Sequence, residues 1–189
     1  MINVRTARML VDYKRWANRL LFDSLAALPP GEVSKERVSV FPNIIGILNH
    51  IYVVDCIWKA HLEGGGHDFK TSHDLLHPEL EELRRAQQDI DRWYCQWSDR
   101  QTDAMLDKTI DFTFVSGDSG KMSAGAMLLH VVNHASYHRG WVIQMYFDIP
   151  AMPPMTDLPI FLRETDPSFN AIQAPAPAAA PAAAPAATN

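Results

Sequence analysis

The sequence predicts an all-α fold: a four-helix bundle with a short β-hairpin before the last helix. Three observations lead there. Four long segments carry apolar side chains at helical spacing. Proline or glycine bounds them, at Pro29-Pro30-Gly31, at Gly64-Gly65-Gly66, at Pro78 and at Pro150. The stretch between the third and fourth segments, DKTIDFTFVSGDSGKMS, mixes β-branched and aromatic residues around a Gly-Asp-Ser-Gly turn, which is the chemistry of a hairpin.

The first helix runs from about Val4 to Leu28, with an apolar stripe that includes Met9, Tyr13, Trp16, Leu20 and Leu21. The second follows Pro42 and extends from about Asn43 to Leu62. The third begins after Pro78 and continues to about Ser98; Glu79, Glu81 and Glu82 crowd its start, where the positive end of the helix favours them. The fourth starts near Ser123, a good N-cap, and continues to Phe147. The long links after the first two helices permit a crossover topology as well as a simple up-and-down one. The bundle is expected over residues 1–170. From Ala171 to Asn189 the chain is nearly all Ala and Pro; repeated Pro forbids a continuous helix and Ala has too little surface for a core, so a disordered tail is expected there.

Composition narrows the function. The chain has 189 residues, 47% of them hydrophobic and 21% charged, as in an ordinary globular domain. A net charge of -5 with no block of Lys or Arg argues against nucleic-acid binding. No apolar run reaches the roughly 18 residues of a spanning helix, and the N-terminal residues are too polar for a signal peptide. Cys56 and Cys95 are far apart and form no CxxC, which fits a reducing cytoplasm; both are expected as small buried apolar groups.

The segment LLHVVNHASYHRGW places His130, His134 and His138 at every fourth position. Residues so spaced share one helix face, about 6 Å apart along the axis, so either adjacent pair could direct two ring nitrogens at one metal ion. His130 and His138, about 12 Å apart, cannot share it, and the pattern alone does not choose between the pairs. Among the other histidines, His67, His73 and His77 fall in or beside a glycine-rich loop and are expected to be solvated, and His61 is near the end of the second helix. His50 differs: it is mid-helix, with Ile47, Val54 and Ile57 on its own face, and a histidine there needs a partner.

Four stretches, YKRWANRLLFDSLAAL, ILNHIYVVDCIWKAHLEG, LLHVVNHASYHRGWV and MPPMTDLPIFLRE, together resemble the DinB-like superfamily of damage-inducible four-helix bundle proteins, over about Met9 to Arg163. The resemblance implies a metal held by one histidine of the second helix and two of the last, here His50, His134 and His138, with His130 outside the ligand set. Tyr137 and Trp141 depart from the residues many members carry, which bears on substrate preference. The resemblance also implies a homodimer joined through helix faces.

Three imidazoles leave a coordination position open for water or substrate. By ligand type they suit zinc, nickel, iron and copper about equally; the expected cofactor is a divalent transition metal, zinc or nickel first, with iron or manganese as others. Relatives in the superfamily use a low-molecular-weight thiol in S-transfer or isomerisation. Three functions follow as expectations: metal-dependent transfer of a small thiol to an electrophile, hydrolysis by metal-bound water, or a stress-induced metal-binding scaffold without turnover. Asn133, Asp55 and Glu63 are candidates to support the ligands. Arg139 and Lys59 are candidates to meet an anionic thiol, Arg139 being expected rather to anchor the C-terminal segment through Asp157. Trp16, Tyr52, Trp58 and Trp141 are expected in the core, with a pocket wall as the alternative.

Overall fold

The computed structural model describes residues 2–168. Four long helices, α1 (Val4–Ala26), α2 (Ile44–Leu62), α3 (Leu80–Asp99) and α5 (Ala124–Met145), form the bundle, and α4 (Asp103–Leu106) is a single turn. Side-chain caps start three of them: Asn3 accepts from the Thr6 amide, Asn43 from the Gly46 amide and Ser123 from the Ala126 amide. The last long helix ends at Met145 and tightens into a 3-10 turn over Tyr146–Asp148 before Pro150. Strands β1 (Thr109–Thr113) and β2 (Ser119–Ser123) form the expected antiparallel hairpin, with Phe112 opposite Gly120. A Cβ at Gly120 would stand 2.4 Å from the Phe112 ring, so only glycine admits the ring across the strand. The Ala/Pro stretch from Ala171 lies outside the described residues.

Helix α1 packs against α3 and α5, and α2 packs against α5 and α3. Consecutive α1 and α2 therefore face each other across the diagonal. Of the two topologies the sequence permits, the crossover is the one adopted. No helix among the described residues is long and apolar enough to cross a membrane.

Of the stripe read from the sequence of α1, Leu21 faces the bundle and the other four residues do not. Ala7, Val11, Lys14, Asn18, Leu21 and Leu25 face the centre. Met9, Tyr13, Trp16 and Leu20 belong to a separate cluster under a short C-terminal helix, α6 (Leu158–Thr165), whose Phe161 ring lies 5.6 Å from Trp16 and 5.9 Å from Tyr13. This helix buries α1's second apolar face, and the sequence alone gave no partner for that face. Helix α2 is buried nearly all round, as its run of Ile and Val requires.

The core is divided. One apolar half gathers Leu21, Leu25, Ile44, Leu48, Leu83, Val142 and Tyr146; the other gathers Ala7, Val11, Trp58, Ile90, Tyr94, Met127 and Leu128. Each of the four long helices also buries polar positions: Lys14 and Asn18 on α1, His50 and Asp55 on α2, Gln87 and Asp91 on α3, His138 and Arg139 on α5. The Lys14 ammonium bridges Asp55 Oδ2 at 2.6 Å and Asp91 Oδ1 at 2.5 Å. Asn18 Nδ2 donates to Asp91 Oδ2 at 2.9 Å and Gln87 Nε2 donates to Asp55 Oδ2 at 2.8 Å. Burial works against the charge on Lys14, but the two carboxylates outweigh it and hold its pKa above the ordinary lysine value. Cys56 and Cys95 are half-buried rather than buried, since each sits at the edge of a core cluster instead of inside one.

Candidate metal centre

His50 comes from the middle of α2, and His134 and His138 come from successive turns of α5, the helix packed beside it. The Nε2 of His50 is 3.1 Å from that of His134 and 3.2 Å from that of His138. His50 and His138 are buried and His134 is partly so. The three nitrogens lie within 4.8 Å of one another, and the group could hold a metal ion. The spacing fits the donor set: bonds of about 2.05 Å place ligand nitrogens ~2.9 Å apart at right angles and ~3.4 Å apart at tetrahedral angles. No carboxylate or thiol joins the three among the described residues.

The environment keeps the imidazoles neutral, which metal binding requires. Burial, reinforced by its histidine neighbours, depresses the pKa of His134 to about 2. The same causes depress His138 to about 4, and burial lowers His50 as well. The Nδ1 of His50 lies 2.7 Å from the carbonyl oxygen of Ser72, in the loop between α2 and α3. A carbonyl can only accept, so Nδ1 carries the proton and the Nε2 lone pair faces the other two rings.

Other histidines take other places. His130 packs 5.0 Å from Trp58 and stays outside the convergent group. His73, expected to be solvated, is exposed yet stacks on His50 at 5.1 Å and on Phe41 at 5.2 Å. His77 lies against Tyr52 at 5.2 Å. His61 and His67 both meet the carbonyl of Thr113.

The supporting residues differ from those expected. Asn133 is exposed, Asp55 is taken up with Lys14, and Glu63 accepts from Lys59 and from Trp93 Nε1 at the end of α2. Ser72 does the supporting instead, through a backbone atom that no side-chain pattern advertises. Lys59 lies over the Trp93 ring at 5.0 Å and is committed to Glu63. Arg139 is 2% exposed and does not pair with Asp157: its Nη1 donates to Asn18 Oδ1 at 3.1 Å and its Nη2 to Ser136 Oγ at 2.9 Å and Tyr13 Oη at 3.3 Å. The Tyr13 hydroxyl in turn donates to the Thr156 carbonyl at 2.9 Å. Arg139 thus reaches the C-terminal segment through a tyrosine, because a guanidinium this deep finds neutral oxygens close by and no free carboxylate.

Among the four aromatic candidates, Trp141 borders the triad, 5.1 Å from His138. Trp16 packs under α6 and donates to Glu164, Trp58 packs on Phe112, and Tyr52 on His77. Phe41 was not singled out in the sequence, yet its ring is 5.0 Å from His50 and 5.8 Å from both His138 and Trp141. It stands just before the cap of α2, so only the path of the preceding loop decides which way it turns.

Comparison with known proteins agrees with this architecture. Protein DinB of Bacillus subtilis (strain 168) is 30% identical over 162 residues, which cover 81% of this chain and 91% of that protein. The crystal structure of a DinB-like protein from Bacillus cereus superposes with a TM-score of 0.56 at 14% identity, covering 76% of this chain and 91% of that one, and so shares the fold. The DinB family pattern matches residues 1–173, and the chain belongs to the DinB family.

Proposed function

We propose that His50, His134 and His138 hold a divalent transition metal, zinc or nickel, and that the protein is a metal-dependent enzyme transferring a low-molecular-weight thiol to an electrophile. The observation that carries the reading is the approach of three neutral Nε2 atoms to 3.1 and 3.2 Å from two helices, with no carboxylate, thiol or fourth imidazole joining them among the described residues. A metal bound there would favour the thiolate over the thiol at neutral pH.

The surroundings support a thiol rather than water as the nucleophile. Hydrolysis needs a general base beside the attacking water; the triad is bordered by Phe41 and Trp141, and the imidazole of His73 beside it is stacked on His50 and Phe41 with its Nδ1 engaged 3.3 Å from Ser72 Oγ. These two rings offer an apolar wall to the electrophile and limit access of water. His50 is oriented by Ser72, and His138 is set by its place on α5 beside Arg139. In the reaction, the thiol sulfur forms a bond to an electrophilic carbon, the leaving group departs with the bonding pair, and the thiol proton passes to solvent.

The test is elemental analysis of the purified protein beside its His50→Ala and His138→Ala variants, followed by thiol consumption with an aryl halide as electrophile. Stoichiometric metal, lost in both variants, with metal-dependent thiol consumption supports the transferase. Ester hydrolysis without thiol consumption would replace it by a hydrolase, and metal without turnover by a binding protein.

A further inference from the structure

A second group of imidazoles converges at the far end of α2. His61 sits in the last turn of that helix and is 3% exposed; His67 follows the glycines Gly64–Gly66. Their Nε2 atoms each lie 3.2 Å from one atom, the carbonyl oxygen of Thr113 at the end of β1. We propose that His61, His67 and the Thr113 carbonyl form a second divalent-metal site, weaker than the triad and independent of it.

Four observations support the assignment. The ring centroids of His61 and His67 are 5.3 Å apart, close to the 4.4 to 4.9 Å found within the triad. An ion with bonds of about 2.0–2.2 Å to nitrogen and oxygen places such donors ~2.9–3.5 Å apart, and both N–O separations fall in that range. The Nδ1 of His67 is buried and unpartnered, as are the Nδ1 atoms of His134 and His138. Finally, a cleft of about 380 Å³ opens beside His61, lined by Gly65, Gly66, Asp111 and Lys121. A Cβ at Gly66 would meet nothing within 4 Å, so water has room to complete the coordination sphere.

The electrostatics are favourable as well. The C-terminal end of a helix carries partial negative charge and attracts cations, and His61 stands in that last turn. Two imidazoles and one carbonyl make a poorer donor set than three imidazoles, so this ion binds after the triad is filled. Once bound, it ties the end of α2, the glycine-rich loop and the hairpin together. The same loop carries Ser72 further along.

Zinc titration of the full chain, read by calorimetry and equilibrium dialysis at constant pH, tests the proposal. The wild type takes up about two equivalents in a tight and a weak class. His67→Ala, and His67→Asn, which keeps a hydrogen-bond donor, each lose the weak class and keep the tight one, with unchanged circular dichroism. His50→Ala loses the tight class and keeps the weak one. A double His73→Ala, His77→Ala variant keeps both. Zinc uptake by both His67 variants equal to that of the wild type overturns the second site, as does loss of the weak class in the His73/His77 variant. A wild type whose single equivalent is lost only with His67 would instead overturn the triad and leave this site standing.

Discussion

The Nδ1–H of His50 donates to the backbone carbonyl of Ser72 at 2.7 Å, so an imidazole of α2 takes its tautomer from a loop 22 residues further along the chain. The far end of that loop is stapled to the same helix by Asn49, whose Oδ1 accepts from the His77 amide and whose Nδ2 donates to the His77 carbonyl, both at 2.9 Å. Asn49→Ala should therefore loosen Ser72 and weaken metal binding roughly 10- to 100-fold, the usual cost of losing a ligand's outer partner. Competition with a chromogenic chelator measures it; unchanged affinity would mean that the loop does not orient His50.

The Lys14 ammonium lies between two buried carboxylates, at 2.6 and 2.5 Å. Lys14→Met keeps much of the volume but leaves Asp55 and Asp91 bridged by no cation, with only the neutral amides of Asn18 and Gln87 donating to them. The expected cost is about 3–5 kcal/mol of unfolding free energy, read from urea denaturation. A loss under ~1 kcal/mol would mean that the carboxylates take up a proton or water instead.

Tyr13 accepts from Arg139 and donates to Thr156, joining the bundle to the segment leading into α6. Tyr13→Phe should cost about 1 kcal/mol and speed proteolytic cleavage near Thr156, while leaving metal content unchanged. Cleavage at the wild-type rate would show that the apolar contacts of Phe161 alone hold α6 down.

The depressed pKa values of the triad tie stability to pH. Burial and histidine neighbours push His134 to about 2 and His138 to about 4, whereas the unfolded chain protonates near pH 6.5. Below that pH the unfolded state binds more protons, so the metal-free protein loses stability on acidification, by about 1.4 kcal/mol per pH unit for each such imidazole. Denaturation midpoints of the chelator-treated protein between pH 7 and pH 4 give the slope. In the His134→Ala, His138→Ala double variant the slope flattens; an equally steep slope there would assign it to other groups.

What could be read from the sequence was what is local to a helix. Repetition at four residues reports one face whatever surrounds it, so the histidines of α5 were legible as a stripe. The pattern alone left their two overlapping pairs open and the resemblance implied the second; the physical reason lies in the neighbour helix, because only packing decides which turn of α5 comes level with His50. Lys14, Asp55 and Asp91 were illegible as a unit: Lys14 and Asp91 alone read as solvated charges, Asp55 as a support for the imidazoles, and only the meeting of three helices makes their burial tolerable. The α1 stripe misled for a related reason. Met9, Tyr13 and Trp16 are apolar at helical spacing, but their partner, α6, lies more than 140 residues away in the chain, as the Tyr13–Thr156 bond at a separation of 143 shows.

The charged layer across the middle of the bundle fixes vertical alignment. A helix sliding by one turn, ~5.4 Å, would carry the Lys14 ammonium in among leucine and isoleucine and strand both carboxylates, whereas apolar layers above and below would tolerate the slip far better. The ion pairs set the height of α2 against α1 and α3, and the bond from Arg139 to Asn18 ties α5 to the same layer, so the meeting of His50 with His134 and His138 is indexed by groups that never touch the imidazoles.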